Sequence, residues 1–227
     1  MGRGRTIQRG LIRDFESRNG LTHAYRSVFH ELCRAMDEPG KRVCAISSAG
    51  PGEGRSAAAI NLAALAARET GESVLLVDAD SDGPSLHTAF DLPAGPGLAE
   101  VVREEAALDQ AARPVKSHAG LSILTCGDRP LSAVTLAEST RVGDVLQELR
   151  GRFGWVFVDT AALLASPGTA RLDARADGVV IAVRWSSTRA QLVQQASEKL
   201  EAAGARILGV VLTQRHYVIP SYVYRRL

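Results

Sequence analysis

The sequence predicts an α/β fold with a mostly parallel β-sheet and helices on both of its faces. Short runs rich in Val, Ile and Leu show little alternation of polar and apolar residues, which is typical of strands covered on both sides. They lie near residues 42–47, 73–78, 121–125, 155–159, 178–183 and 207–212. Stretches with helical periodicity separate them, and this alternation favours parallel pairing. We place helices near residues 55–69, 98–103, 133–150 and 188–203.

An amphipathic helix is predicted before the first strand. Thr22 is its expected N-cap, Pro39-Gly40 ends it, and its apolar positions recur at helical spacing. They are Tyr25, Val28, Phe29, Leu32, Cys33 and Met36. Residues 1–20 contain five arginines and are expected to form a flexible basic arm, with residues 21–227 forming a single domain.

Composition excludes several classes of protein. The formal net charge of +2 gives no reason to expect a nucleic-acid partner. The longest apolar stretch, near residues 57–67, is too short for a transmembrane segment. Three widely spaced cysteines form no metal or redox motif, and we expect buried thiols in a cytoplasmic protein.

A glycine-rich loop follows the first strand of the sheet. Gly50, Gly52 and Gly54 stand between an apolar run and a helical run, so the backbone N–H groups of the loop would point at a bound anion. Such loops end in Gly-Lys-Ser/Thr, with the hydroxyl on Mg²⁺. Here Ser56 is present, but Arg55 stands where the lysine is expected. The pattern predicts a P-loop NTPase-type sheet. An ordinary glycine-rich turn is the alternative, and the flanking strand and helix argue against it.

Three aspartates lie at the ends of buried strands. Asp78 and Asp80 end the run from residue 74, and Asp159 ends the run from residue 155. Ligands of open α/β sheets bind at the carboxyl ends of strands. These carboxylates would therefore serve as Mg²⁺ ligands and as a proton acceptor. Capping of the following turns is the alternative role for each of them.

These motifs resemble those of the bacterial tyrosine kinases (BY-kinases), the P-loop autokinases of capsule and exopolysaccharide export, which are related to the ParA/MinD ATPases. The resemblance runs from about Thr22 to the C-terminus. It rests on the loop 48–56, on Asn61-Leu62-Ala63, on the strand 75–80 with Pro84-Ser85-Leu86-His87, on Asp159, on 176–180, on 208–212 and on Val218-Ile219-Pro220.

The resemblance implies an ATP or ADP site with Mg²⁺. The implied catalytic residues are Asp78, Asp80 and Arg55, and the implied metal ligands are Ser56, Asp78 and Asp159. The implied nucleotide contacts are Gly50, Gly52, Glu53, Gly54, Arg55, Ser56, Ala57 and Thr213. Active members of the family phosphorylate C-terminal tyrosines, here Tyr217, Tyr222 and Tyr224, although packing of this tail on a neighbour is an equal alternative. A membrane-spanning chain-length regulator activates such kinases and would recruit this chain to the inner face of the membrane.

The chain departs from the family pattern at several functional positions. Arg55 replaces the lysine, and Ala57 replaces a threonine after the loop. Asp82 replaces an arginine, Ala161-Ala162 replace two prolines, and Thr213 replaces the asparagine that reads adenine. In the helix 22–36, the family's subunit contact Glu-x-x-Arg-x-x-Arg reads His23, Arg26 and Phe29, which weakens the case for self-association through this helix.

These departures predict a pseudokinase. It would bind nucleotide, have weak or lost tyrosine kinase activity, and act as a regulator or scaffold. One alternative is an active autokinase. Another is a ParA/MinD-type switch, which is disfavoured because Gly50 stands where such proteins have a second lysine. A third is a scaffold that has lost nucleotide, which an Arg55 guanidinium folded onto Asp78 or Asp159 would support.

Overall fold

The fold is a seven-stranded mixed sheet with helices on both faces. The computed structural model describes residues 20–38, 42–83 and 86–214. The strands, in chain order, are β1 (Val43–Ser48), β2 (Val74–Ala79), β3 (Ala112–Pro114), β4 (Leu121–Leu124), β5 (Trp155–Ala162), β6 (Gly178–Arg184) and β7 (Ile207–Thr213). Their order in the sheet is β3-β4-β2-β5-β1-β6-β7, and every neighbouring pair is parallel except β3 with β4. The predicted α/β fold class is confirmed.

The helices alternate with the strands along the chain. They are α1 (Gly20–Ala35), α2 (Arg55–Thr70), α3 (Leu86–Ala89), α4 (Leu98–Val102), α5 (Leu108–Ala111), α6 (Ala133–Glu138), α7 (Thr140–Arg152), α8 (Thr169–Asp173) and α9 (Ala190–Ala202). Helices α1 and α2 pack together on one face of the sheet. Helix α9 packs on the other face, against alternate residues of β6.

An aromatic cluster joins α1 to the centre of the sheet. The ring centroids of Phe29 and Trp155 are 5.3 Å apart, and the Trp155 and Phe157 rings stack at 5.7 Å. The Arg42 guanidinium lies over the Trp155 ring, 5.3 Å from its centroid. The predicted apolar stripe of the first helix is therefore a core-facing stripe.

Several predicted boundaries were wrong. Thr22 is not an N-cap, because α1 begins at Gly20 and Thr22 is buried in its first turn. The helix predicted over residues 133–150 is two helices that meet at Ser139. Around the helix predicted near residues 98–103, the structure has two helices, α4 and α5, and the antiparallel strand β3. The predicted basic arm and the Pro39-Gly40 helix end lie outside the described residues.

The cysteines are distributed over the fold as unpaired thiols. Cys44 in β1 and Cys126 after β4 are buried, and Cys33 in α1 is partly buried. Burial raises the pKa of the Cys44 and Cys126 thiols. In the described ranges, no helix combines the length and the apolar composition needed to cross a membrane.

Candidate nucleotide site

The glycine-rich loop connects β1 directly to α2. Gly52 and Gly54 have φ angles of 78° and 82°, a left-handed conformation that glycine adopts without steric cost. A Cβ atom on Gly54 would lie 3.0 Å from Thr213 Oγ1, so a side chain there is strained for two reasons. The first N–H groups of α2 have no partner within the helix. The loop is therefore suited to an anion such as a phosphate.

Hydrogen bonds made by Glu53 of the loop and by side chains of later segments fix the conformation of this loop. Glu53 is buried, and its Oε2 accepts a hydrogen bond from Gly50 N at 3.1 Å while its Oε1 accepts one from Thr188 Oγ1 at 2.6 Å. The Thr213 hydroxyl donates to the Glu53 carbonyl, and Gln214 Nε2 donates to the Gly52 carbonyl at 3.0 Å. Glu53 and Thr213, both predicted nucleotide contacts, thus fix the shape of the loop.

Arg55 is buried, and each of the three nitrogen atoms of its guanidinium donates a hydrogen bond to a polar side chain. Its Nε donates to Asp159 Oδ1 at 3.1 Å, its Nη2 to Asp80 Oδ2 at 2.5 Å, and its Nη1 to Ser48 Oγ at 3.1 Å. Burial acts to lower the pKa of Arg55, but the carboxylates of Asp159 and Asp80 outweigh it, so the pKa is raised. The guanidinium therefore remains charged and bridges two strand ends.

Asp78 in β2 and Asp80 just after it also accept hydrogen bonds from backbone N–H groups. Asp78 Oδ1 accepts a hydrogen bond from Asp80 N at 3.2 Å, and Asp78 Oδ2 accepts one from Leu86 N at 3.0 Å. Asp80 Oδ1 accepts from the N–H of Asp82, whose own side chain is exposed. Both aspartates thus cap the turn after β2, which is the alternative role considered for them.

Asp159 has the features of a metal ligand. It is fully buried and lies opposite Asp78 in the register of β5 and β2. Burial raises its pKa, and the Arg55 guanidinium and the Ser56 hydroxyl oppose that rise. In the part of the chain that the structure describes, its Oδ2 has no hydrogen-bond partner. A buried, unsatisfied carboxylate oxygen beside a serine hydroxyl is a donor set that fits Mg²⁺.

A further buried carboxyl, which sequence reasoning missed, interacts electrostatically with Arg55. Asp173 in α8 is fully buried, and burial raises its pKa to about 7 against the opposing effects of Thr160, Ser47 and Arg55. No strand precedes Asp173, so it lacks the signal that identified the other aspartates. Ser48 and Thr188 also escaped notice because isolated hydroxyl residues carry no pattern.

The remaining predicted residues are placed as follows. Ser56 and Ala57 are half-buried in the first turn of α2. Ala161-Ala162 continue strand β5, where the family's two prolines form a turn. Tyr217, Tyr222 and Tyr224 lie outside the described residues.

At the positions where the family has its subunit contact, two side chains of this protein contact other residues of the same chain. Arg26 Nε donates to Glu69 Oε1 of α2 at 2.5 Å, and Phe29 is buried against Trp155. His23 is exposed. Two of the three side chains therefore stabilise the fold of one chain.

Comparison with known proteins identifies similar sequences and structures. The family model of the cellulose biosynthesis protein BcsQ matches residues 42–203. The tyrosine-protein kinase YwqD of Bacillus subtilis (strain 168) is 30% identical over 210 residues, which make up 92% of this chain and 88% of YwqD. The similarity thus extends over most of both chains.

Two further proteins show the range of this similarity. The succinoglycan biosynthesis transport protein ExoP of Rhizobium meliloti (strain 1021) is 33% identical over 206 residues, which are 86% of this chain but 26% of ExoP. The chain therefore spans about a quarter of ExoP. The kinase domain of the Escherichia coli tyrosine kinase ETK matches with a TM-score of 0.80 and 26% identity, over 88% of this chain and 79% of that chain.

Proposed function

Because this chain belongs to the bacterial tyrosine kinase family of ParA/MinD-like P-loop proteins, we propose that it is a regulatory or scaffold protein of exopolysaccharide or capsule export. It binds ATP or ADP with Mg²⁺ and has weak or lost tyrosine kinase activity. The proposed site consists of the loop 50–57, Asp78, Asp80, Asp159 and Thr213.

The contact of Arg55 with Asp80 and Asp159 carries this proposal. Both carboxylates belong to the set that would hold Mg²⁺ or accept a proton, and both are ion-paired with the residue that replaces the loop lysine. A nucleotide's phosphates have to replace these carboxylates as partners of the guanidinium. Breaking a buried ion pair costs about 3–5 kcal/mol when one partner is left alone, so the exchange weakens binding.

The geometry of Arg55 also opposes phosphoryl transfer. Bound Mg²⁺ would supply the positive charge that neutralises the phosphate oxygens, with Ser56 and Asp159 as its protein ligands. Arg55 is planar and forked, and it is fixed on three sides by Asp159, Asp80 and Ser48. A group held in this way is displaced from the phosphate-bridging position of a lysine, and small displacements of reacting groups cost orders of magnitude in rate.

Calorimetric titration with ADP and a non-hydrolysable ATP analogue, with and without Mg²⁺, tests the proposal. We expect weak, Mg²⁺-dependent binding, and a gain of about tenfold or 1.4 kcal/mol in the variant Arg55→Lys, Asp82→Arg. The matched control is Arg150→Lys, Asp144→Arg, which makes the same exchanges outside the proposed site. Tight binding by the unmodified chain with no gain in the variant would contradict the proposal. The contact of Arg55 with Asp159 is also the one expected of a scaffold that has lost nucleotide, and absence of binding in both proteins would establish that alternative.

An active autokinase is the second candidate, because YwqD and ETK are named tyrosine kinases and Asp159 retains an oxygen for a metal. Mass spectrometry of the purified protein, incubated with MgATP, tests it. Strong phosphorylation of Tyr217, Tyr222 or Tyr224 that is lost in Asp80→Ala would establish this candidate. Absence of phosphotyrosine at these positions is the result that we expect.

The proposed partner is a membrane-spanning polysaccharide chain-length regulator. The match to ExoP, a succinoglycan biosynthesis transport protein, supports this choice of system. Cell fractionation tests it: this chain should move to the membrane fraction when such a regulator is co-expressed. A chain that stays out of that fraction in both conditions would argue against recruitment.

A further inference from the structure

One buried carboxyl plays no part in the proposed nucleotide site. Asp173 in α8 is fully buried, and in the part of the chain that the structure describes neither of its oxygens has a hydrogen-bond partner. Arg55 acts on it electrostatically, but the Arg55 guanidinium is paired with Asp80 and Asp159. The charge of an ionised Asp173 is therefore left without a partner, although buried charges are normally paired or bound to a metal.

The polar groups next to Asp173 are hydroxyls. Ser47 of β1 and Thr160 of β5 are close enough to it to oppose the rise of its pKa. Neither hydroxyl gives its proton to Asp173, because Ser47 Oγ donates to the Ala161 carbonyl and Thr160 Oγ1 to the Ile46 carbonyl, each at 3.3 Å. What both hydroxyls offer the carboxylate is therefore their lone pairs, which are acceptors.

A bulge between β1 and β5 fixes these two hydroxyls. Ile46 pairs with Asp159 and Ser48 pairs with Ala162, so β5 has one more residue than β1 in this interval. The two hydroxyls bond carbonyls of the same interval. Each hydroxyl oxygen is therefore held in place by the sheet and does not depend on Asp173.

Another unpartnered oxygen comes from the same helix as Asp173. Thr169 lies four residues earlier in α8, so the two side chains are neighbours on one side of the helix. Thr169 is fully buried, and its Oγ1 has no hydrogen-bond partner among the described residues. Three buried oxygen atoms on successive turns thus lack a partner. Groups of this kind point to a bound water or ion.

These oxygens lie on the face of the sheet away from the Arg55 bridge. Thr160 and Leu172, the residue before Asp173, line an apolar cavity of about 40 Å³ between the sheet and α7. Asp159, the residue before Thr160, points to the other face, because successive side chains of a strand alternate. The carboxyl therefore belongs to a second polar group in otherwise apolar surroundings.

A monovalent metal cation fits this set of oxygens. A water molecule bonds them but leaves the charge of Asp173 unbalanced. A cation balances that charge, and hard cations bind oxygen ligands such as carboxylates. In the described ranges, no three His, Cys, Asp or Glu side chains are placed to hold a metal together. The ligands that Zn²⁺ requires are therefore missing from the described residues, and one carboxylate matches an ion with one charge.

We propose that Asp173, Thr169, Ser47 and Thr160 bind one Na⁺ or K⁺ ion between α8 and the bulge of β1 and β5. The ion joins α8 to β1, which leads into the glycine-rich loop, and to β5, which carries Asp159. Its binding requires neither nucleotide nor Mg²⁺, so this site and the proposed nucleotide site stand or fall separately.

Urea unfolding in different salts tests the proposal. The full chain is unfolded at pH 8, without nucleotide or Mg²⁺, in NaCl, KCl or tetramethylammonium chloride of equal ionic strength. An ion that binds only the folded protein raises the ratio of folded to unfolded protein, about tenfold at ten times its dissociation constant. We therefore expect a higher urea midpoint in NaCl or KCl than in tetramethylammonium chloride. Equal midpoints in the three salts would overturn the proposal and leave Asp173 with a proton or a water.

Matched variants assign the effect to this site. Asp173→Asn removes the charge and should abolish the difference between the salts, while Asp144→Asn, on an exposed position of α7, should retain it. In tetramethylammonium chloride Asp173→Asn should be more stable than the unmodified chain, and Na⁺ or K⁺ should reduce that advantage. A salt dependence that survives in Asp173→Asn would place the ion elsewhere and overturn the proposal.

Sodium NMR gives a measurement that does not depend on how a variant folds. The unmodified chain should broaden the sodium resonance, and added K⁺ should reverse the broadening by competition. Thr169→Val, which keeps the shape of the side chain and removes one oxygen, should weaken the broadening. A sodium resonance that the unmodified chain leaves unchanged, in a protein whose midpoint is also the same in NaCl and KCl as in tetramethylammonium chloride, would exclude the site.

Discussion

Arg55 and Asp159 meet in a buried contact, with Arg55 Nε 3.1 Å from Asp159 Oδ1 in the carboxyl-terminal half of the central strand β5. The arginine reaches Asp159 from the first residue of α2, and the same guanidinium reaches Asp80 after β2. One side chain therefore joins a helix start to the ends of two adjacent strands. Its replacement has consequences for stability as well as for binding.

Arg55→Ala should destabilise the protein by about 3–5 kcal/mol near neutral pH, because it leaves Asp80 and Asp159 buried without their cation. Burial already raises the pKa of Asp159, and the variant removes the cation that opposes this rise, so the loss of stability should shrink as the pH falls towards the unfolded pKa of about 3.9. Urea unfolding at pH 5 and pH 7 measures this difference. Arg171→Ala breaks an exposed pair with Glu138 and should cost under 1 kcal/mol at either pH. An equal cost for both variants would argue against the buried bridge.

Asp173→Asn should stabilise the protein at alkaline pH. Burial raises the pKa of Asp173 in the folded protein from its ordinary value of 3.8 to about 7. A raised pKa means that the folded state holds a proton that the unfolded state releases, so stability is lost as the pH rises between these two values. The amide variant escapes this loss, which is on the order of 1.4 kcal/mol per unit of pKa difference. Urea unfolding at pH 5 and pH 8 checks it, with the exposed Asp144→Asn as control. Parallel pH profiles of wild type and Asp173→Asn would contradict the expectation.

Thr213→Val should loosen the glycine-rich loop. The change preserves the shape of the side chain but removes the hydroxyl that donates to the Glu53 carbonyl, at a cost of about 1 kcal/mol. Hydrogen exchange of residues 50–54 should become faster. Thr70→Val is the control, since the Thr70 hydroxyl bonds the Ala66 carbonyl within α2. That variant should leave the exchange of the loop unchanged; accelerated loop exchange in both would point to a global effect.

Phe29→Ala should destabilise the protein by about 3–5 kcal/mol, because it opens a cavity against Trp155. Leu21→Ala, on an exposed position of the same helix, should change stability by less than about 0.5 kcal/mol. Denaturant unfolding and sedimentation velocity distinguish a role of Phe29 in the core of one chain from a role in contact between subunits. A change of oligomeric state at unaltered stability would show that this residue is a subunit contact.

The sequence predicts the main strands of the sheet well because their apolar runs are continuous. β3 was missed because it has three residues, ends in Pro114 and is an antiparallel edge strand, so it shows none of the pattern of the central strands. The break between α6 and α7 was missed because a single residue, Ser139, separates the two helices, so the sequence pattern reads as one continuous helix. Its extended backbone ends one helix and begins the next.

The gathering of carboxylates at one edge of the sheet was predictable from strand direction. For the partner of Arg55 the sequence offered Asp78 or Asp159 without deciding between them, because the choice depends on side-chain reach: the guanidinium meets Asp159 and also Asp80. Asp78 instead accepts the N–H groups of Asp80 and Leu86. Asp173 was beyond prediction, since it is the last residue of a five-residue helix and does not follow a strand directly.

The rate at which the buried thiols are alkylated would report on the opening of the fold around them. Burial raises the pKa of Cys44 and Cys126, and nearby carboxylates including Asp78 and Asp159 add to the effect at Cys126. Only the thiolate reacts with alkylating reagents. Each thiol is therefore protected until the segment that buries it opens: strand β1, between β5 and β6, for Cys44, and the segment that follows β4 for Cys126. The order in which the two thiols are alkylated shows which of these two segments opens first.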